Sequence, residues 1–249
     1  MQLAVLVSGT GSILEAMLSV GLPIGLVGAD RPCRGLGIAA EAGIATVLVG
    51  RDDWTASQAG GAGEAGGAAG ADGGMGPRRF DRKGYSCELA AVLEGRGVDV
   101  VAMAGFGTVL DASFFEWDDG RYRGRVLNTH PSLLPAFPGW HAVRDALDAG
   151  ATESGCTVHV AIPEVDAGPV LAQRAVPVLA GDDEAALHER IKAVERELYP
   201  ATIAAFVERC ASDECRHRSD AAGLDGSDDV GDGGRGRREA EPKQEGQTR

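Results

Sequence analysis

The sequence predicts an α/β fold: a Rossmann-like, mostly parallel sheet with helices on both faces. Three observations predict it. Short, near-continuous apolar runs rich in Val, Leu and Ile read as strands buried on both faces. Helix-period segments alternate with them, the pattern of βαβ units. A glycine loop follows the first apolar run directly.

Leu3–Val7 is the first strand, and Ile13, Leu14, Met17 and Leu18 after it fall at helical spacing. Ile24–Val27 and Thr46–Val49 read as strands flanking a helix over Gly35–Ala42. A helix over residues 84–94 leads into a buried strand, Val98–Ala104. Arg125–Thr129 is the next strand and Ala142–Ala149 a short helix. Thr157–Ile162 and Val170–Val178 flank the turn-like Glu164–Pro169 and suggest an antiparallel extension of the sheet. Glu184–Glu208 carries Leu187, Ile191, Val194 and Leu198 on one stripe of a long helix, with Pro200 expected to kink or split it.

Two stretches contribute little to a core. Ala56–Gly76 holds nine Gly and seven Ala, too much backbone entropy for a stable helix, and reads as a flexible insertion over residues 56–79. Beyond residue 210 only Leu224 and Val230 are large aliphatics, so 210–249 reads as a disordered polar tail. One domain, residues 1–209, remains, long enough for a full hydrophobic core.

The formal charge of the 249 residues is −13, most of it on the body rather than the tail. That balance argues against nucleic-acid or anionic-membrane partners and leaves small molecules as the expected ligands. No basic leader and no run of 18 apolar residues is present, so a cytoplasmic protein is expected. Its five scattered cysteines form no C-x-x-C pair, so neither a zinc site nor a disulfide framework is expected.

Strand, Ser8-Gly9-Thr10-Gly11-Ser12 and helix make a phosphate cradle: glycines admit the anion and helix N–H groups point at it, with Ser12 able to cap the helix. The dinucleotide fingerprint is incomplete, because Leu14 stands where a third small residue belongs. A tight strand-to-helix turn without a ligand gives the same pattern. Further on, Asn128-Thr129-His130-Pro131-Ser132 closes a strand at the carboxyl edge of the sheet, where open α/β sheets bind ligands. Alternation puts Asn128 and His130 on one side, two donors suited to a developing oxyanion. Asp166 is a carboxylate that could face the imidazole. Spacing alone equally allows a loop histidine bonded to backbone and an unremarkable turn aspartate. Among the other histidines, His159 reads as a half-buried strand residue, His188 as lying on a solvated helix flank, and His141 as a candidate for the site mouth.

Val7-Ser8-Gly9-Thr10-Gly11-Ser12, Ala104-Gly105-Phe106, Asn128-Thr129-His130-Pro131-Ser132-Leu133-Leu134-Pro135 and Val165-Asp166-Ala167-Gly168-Pro169-Val170 resemble, in order and spacing, the folate-dependent formyltransferases. The resemblance covers about residues 1–208 apart from the insertion. His130-Pro131-Ser132, with neither a basic domain following nor a regulatory domain preceding, sets it nearest the branch acting on glycinamide ribonucleotide. It implies a formyl transfer from 10-formyltetrahydrofolate to the glycinamide amine, yielding formylglycinamide ribonucleotide and tetrahydrofolate in purine synthesis. The folate is a donor substrate, no metal is implied, and the protein is expected as a monomer or homodimer.

Position by position, the resemblance makes Asn128, His130 and Asp166 catalytic. Gly11, Ser12, Ile13, Lys192 and Glu195 match ribonucleotide contacts, although a solvated helix face with an ion pair would give Lys192 and Glu195 the same spacing. Arg82 (with Lys83 as competitor), Gly107, Thr108, Val109, Leu110, Asn128, Ile162, Pro163, Glu164 and Val165 match the folate cleft. Ile13 departs from the family's Asn, and Gly107-Thr108 from a bulkier Met-Arg or Met-Lys pair, which is expected to loosen that cleft. Two alternatives stay open: a formyltransferase for another amine such as a sugar nucleotide, and a non-catalytic nucleotide-binding module.

Overall fold

A computed structural model describes residues 1–56 and 79–222; most of the expected insertion, and residues 223–249 of the expected tail, lie outside the described residues. The elements run β1 (Leu3–Val7), α1 (Ser12–Ser19), β2 (Ile24–Ala29), α2 (Arg34–Glu41), β3 (Ala45–Leu48), a 3-10 turn (Arg51–Trp54), β4 (Thr55–Ala56) and β5 (Arg79–Phe80). They continue with α3 (Arg82–Gly95), β6 (Val100–Met103), the one-turn helices α4 (Ala112–Phe115) and α5 (Trp117–Gly120), β7 (Val126–His130), α6 (Ala142–Asp148), β8 (Glu153–Val160), β9 (Val170–Pro177) and α7 (Glu184–Ala222).

Seven strands form one sheet in the order β3-β2-β1-β6-β7-β8-β9. The pairs from β3 to β7 are parallel, while β7–β8 and β8–β9 are antiparallel, as the sequence suggests. Chain order reverses between β1 and β6. The crevice beyond their carboxyl ends is therefore a topological switch point, the place where open sheets take ligands.

Strand alternation explains why both faces are covered. Leu3, Val5 and Val7 point into a core closed by α1, α2 and the α7 residues Tyr199, Ile203 and Phe206. Ala4 and Leu6 point the other way, against Tyr85, Leu89 and Leu93 of α3 and against Phe114 and Tyr122. A third cluster joins Val143 of α6, Cys156 of β8, Val176 of β9 and Leu187 and Ile191 of α7. The two-residue strands β4 and β5 pair antiparallel, Thr55 with Phe80, so the chain leaves for residues 57–78 and returns at adjacent points.

Two expectations about α7 are corrected. Pro200 lies inside one continuous helix, and the helix runs on to Ala222 rather than ending at Glu208. Packing outweighs the lost hydrogen bond, since Tyr199 and Ile203 beside the proline are fully buried. The first compact unit is Met1–Ala211; the second begins at Ser212, and its described part is helical.

The Tyr199 hydroxyl reaches the carbonyls of Leu127 (2.8 Å) and Met103 (3.2 Å), pinning α7 to two central strands. Tyr199→Phe leaves those carbonyls without their side-chain donor and is expected to lower stability by about 1 kcal/mol. Urea unfolding measures this, and an unchanged midpoint contradicts it.

Candidate active site

A cavity of about 470 Å³ opens at the switch point. Its walls are the loop after β1 (Gly9–Ile13), the segment after β6 (Ala104–Leu110), the end of β7 (Asn128–Pro131), Gly139 and Trp140, the end of β8 with its following turn, and His188, Lys192 and Glu195 of α7.

Asp166 is the junction of this site. Its side chain is only 5% exposed. One oxygen, Oδ2, accepts the Gly139 N–H at 2.8 Å and lies 3.3 Å from His130 Nδ1. The other, Oδ1, stands 3.6 Å from His159 Nε2. Burial alone would push the carboxyl pKa up. The His159 hydrogen bond, the Gly139 amide and the nearby imidazoles outweigh it and hold the pKa below the usual aspartate value. The residue occupies left-handed backbone at φ 56°, a conformation that Asp tolerates better than most residues. Gly168, two residues on, is required by close approach: a Cβ there would collide with the Val160 carbonyl.

His130 closes β7 with its side chain 6% exposed. Its Nε2 donates to the Phe137 carbonyl at 2.8 Å while Nδ1 faces Asp166. Both neighbours are acceptors: Nε2 carries the proton given to the Phe137 carbonyl, and Nδ1 faces the Asp166 carboxylate. The loop after His130 is fastened from the sheet. The Thr157 hydroxyl donates to the Ser132 carbonyl (2.6 Å) and accepts from Leu134 N–H (3.1 Å) and Gln173 (2.9 Å).

Asn128 faces the cavity and meets His159 Nε2 at 3.3 Å. The two are register partners across β7 and β8. His159 is 2% exposed, and its Nδ1 donates to the Val160 carbonyl at 3.1 Å, which turns Nε2 toward the site. Alternation along β8 reads this histidine as a half-buried strand residue, whereas it is almost fully buried and lines the cavity. Only the antiparallel pairing of β8 on β7, invisible to local spacing, brings it between Asn128 and Asp166.

In the glycine loop Ser12 does not cap α1. Gly11 is the N-cap residue, at φ 76°, and no side chain caps the helix. The first-turn N–H groups are thereby left toward the cavity. A side chain on Gly11 would meet Ile38 and Gly35 below 3 Å. Ile13 is buried in the core with α1, so its backbone is what the loop presents. Gly107-Thr108 does not loosen its segment, because Gly107 N–H donates to Ser8 Oγ at 2.6 Å and the Thr108 hydroxyl is buried and bonded.

Val109, Leu110, Ile162, Pro163 and Val165 line the cavity, as do Gly11, Ser12, Ile13, Gly107, Thr108, Lys192 and Glu195. Arg82 and Glu164 do not: both are exposed, and Arg82 opens α3. His141 is exposed and lies off the cavity wall, whereas His188 lines it, correcting the expected solvated flank. Trp140, 70% exposed, lines the cavity without having been singled out by sequence pattern, and Phe106, part of a family motif but given no role there, lines it too. The buried Cys156 thiol is pushed up to about 12 by burial and is no nucleophile at neutral pH. Among the described residues no group of three or more His, Cys, Asp or Glu is arranged to hold a metal, and no helix is long and apolar enough to cross a membrane.

A doubly wound sheet with an amide, an imidazole and a carboxylate gathered at its switch point defines a class of group-transfer protein. The sequence model of the formyl transferase family matches residues 1–203, and the chain belongs to that family. It is 40% identical over 210 residues to a phosphoribosylglycinamide formyltransferase of Mycobacterium tuberculosis, covering 82% of this chain and 84% of that one. It is 36% identical to the trifunctional purine biosynthetic protein adenosine-3 of Drosophila melanogaster, spanning 14% of that longer protein. The crystal structure of glycinamide ribonucleotide transformylase 1 from Symbiobacterium toebii superposes with a TM-score of 0.68 at 33% identity, covering 84% of this chain and 88% of that one. A Brucella melitensis phosphoribosylglycinamide formyltransferase gives 0.65 at 34% identity, with 82% and 94% covered.

Glu195 supplies a pH test. Burial pushes its carboxyl up to about 7, against the lowering effects of a Thr129 hydrogen bond and the Lys192 and Arg196 charges. The folded protein thus holds a proton that an unfolded glutamate releases near 4.5. Its contribution to stability is complete below about pH 4.5 and is lost as pH rises toward 7. Glu195→Gln should remove that decline, so the variant gains on the parent in thermal scans between those pH values. Parallel curves would contradict the assignment.

Proposed function

We propose that the chain transfers the formyl group of 10-formyltetrahydrofolate to the amine of phosphoribosylglycinamide. The products are formylglycinamide ribonucleotide and tetrahydrofolate, a step of de novo purine synthesis in the cytoplasm. The partners are these small molecules, with no nucleic acid, membrane or metal, and the enzyme works as a monomer or homodimer. The observation that carries the reading is the 3.3 Å approach of Asp166 to His130 inside a cavity that Asn128 also lines.

In this reading the substrate amine is the nucleophile, which agrees with the absence of an activated thiol among the cavity-lining residues. Attack on the formyl carbon builds a tetrahedral oxyanion. Asn128 and His130 donate to it, and Asp166 keeps His130 oriented and balances its positive charge. The His130 Nε2–H that now bonds the Phe137 carbonyl is exchanged onto the oxyanion, the stronger acceptor. Collapse breaks the bond from the formyl carbon to the folate nitrogen; that nitrogen gains a proton as the amine loses one. The phosphate sits on the uncapped N-terminus of α1 with Lys192 nearby, and Glu195 meets the glycinamide end.

The test is tetrahydrofolate release from 10-formyltetrahydrofolate with and without glycinamide ribonucleotide. Release should require the acceptor; release without it would mean deformylation instead. Asn128→Ala and His130→Ala are each expected to lower kcat by about 10²–10³ with ribonucleotide affinity little changed. Near-normal turnover in folded His130→Ala would overturn the reading.

A further inference from the structure

Alternation along β7 sends Asn128 and His130 to one side, Leu127 and Thr129 to the other. No step of the transfer uses Thr129, yet it lines the cavity together with Glu195. The way α7 lies along the strand explains this. His188, Lys192, Glu195 and Tyr199 recur at i, i+4, i+7 and i+11, which is one face of a helix. The first three line the cavity, and Tyr199 is buried with its hydroxyl on the Leu127 carbonyl. Glu195 stands one turn before Tyr199, about 6 Å along the helix axis. Thr129 stands two residues beyond Leu127, about 6.6 Å along the strand. The two spacings match, and the Thr129 hydroxyl donates to the Glu195 carboxyl.

That hydroxyl has one proton to give. Its oxygen also meets Cys156 Sγ at 3.2 Å. Burial pushes the thiol up to about 12, so the sulfur keeps its own proton and is the donor of this pair. The order runs from thiol to hydroxyl to carboxylate, with each proton used once. Cys156 is fully buried in the cluster with Leu187 and Ile191 of α7, which fixes the far end of the chain.

The other charges near Glu195 are few. Lys192 and Arg196, on its own helix, favour its ionised form, while burial opposes it. Cys156 and Tyr199 both feel its charge, and His188 lies two turns away on the same helix face. His130, His159 and Asp166 meet on the Asn128 side of β7. The loops after β1 and β6 bring no titratable side chain to the cavity wall. Of the groups that favour the ionised carboxyl, Thr129 acts most strongly.

We propose that Thr129 is a positioning residue whose hydroxyl keeps Glu195 a carboxylate, the acceptor that the donors of the ribonucleotide require. This rests on the reading that Glu195 meets the ribonucleotide.

The experiment compares the parent with Thr129→Val, which keeps the shape and lacks the hydroxyl, and with Thr129→Ser, which keeps the hydroxyl. Calorimetric titration with glycinamide ribonucleotide between about pH 6 and pH 9 gives Kd for each. Losing a hydrogen bond to a charged group moves the ionisation of Glu195 up by about one pH unit. Near pH 7 the parent carboxyl is half ionised, so Thr129→Val should bind about fivefold more weakly there and match the parent by about pH 9. In turnover the loss should fall on the ribonucleotide KM rather than on kcat. Thr129→Ser should follow the parent, and in a Glu195→Gln background Thr129→Val should have no pH-dependent effect. Thermal scans give a readout without ligand: the stability decline assigned to Glu195 should run on to about pH 8 in Thr129→Val. Thr129→Ala covers the case in which the valine variant fails to fold. Equal affinity of Thr129→Val and the parent at pH 7 overturns the proposal. So does a loss that stays constant with pH, which would mean packing alone, or a serine variant that fails alongside valine. A parent that binds no glycinamide ribonucleotide overturns the reading beneath the proposal, whereas one that binds it and shows any of those three results overturns the proposal alone.

Discussion

A single buried carboxylate organises the centre of this protein. Asp166 reaches across from the turn between β8 and β9 and collects an imidazole from β7, an imidazole from β8 and the Gly139 amide. Each attachment fixes a different piece of chain, so the relative placement of three segments converges on one side chain. Burying a charge this completely is costly unless hydrogen bonds replace its water. Here the Gly139 amide and His159 do so and keep Asp166 ionised, while the same carboxylate faces His130 Nδ1 at 3.3 Å. Even the turn that delivers it is constrained, with left-handed backbone at Asp166 and a glycine forced at 168 by the Val160 carbonyl.

The sheet supplies the rest of the geometry. Reversal of chain order between β1 and β6 opens the crevice, and the antiparallel pairing of β8 on β7 brings the end of β8 and its following turn to the cavity wall. Thr157 and Gln173 show how strands far from the chemistry hold it in place: they satisfy the backbone of residues 132–134 and so fix the loop that follows His130. From the other side, α7 is anchored by the Tyr199 hydroxyl on β6 and β7 and brings Lys192 and Glu195 to the cavity.

Much of the scaffold was legible from sequence because strands buried on both faces leave unmistakable apolar runs, as in Leu3–Val7, which begins and ends where expected. Asn128 and His130 could be set on one side of a strand by alternation alone. The arrival of Asp166 could not, because it depends on the β8–β9 hairpin folding back, a long-range event with no local signature; only the family resemblance pointed to it. His159 was passed over for the same reason. The extension of α7 beyond Glu208 defeated a reading based on apolar content, and the continuity through Pro200 defeated one based on local propensity, since tertiary packing decides both.

The account stands on the charge of Asp166 rather than on its shape. Asp166→Asn keeps an acceptor for the Gly139 N–H and nearly the same volume while removing the negative charge that faces His130. Turnover and ribonucleotide binding measured on this one variant separate the two contributions. The account requires turnover to fall by about two orders of magnitude or more while the ribonucleotide Kd stays within about twofold. Turnover close to that of the parent, in a folded Asp166→Asn protein, would contradict it.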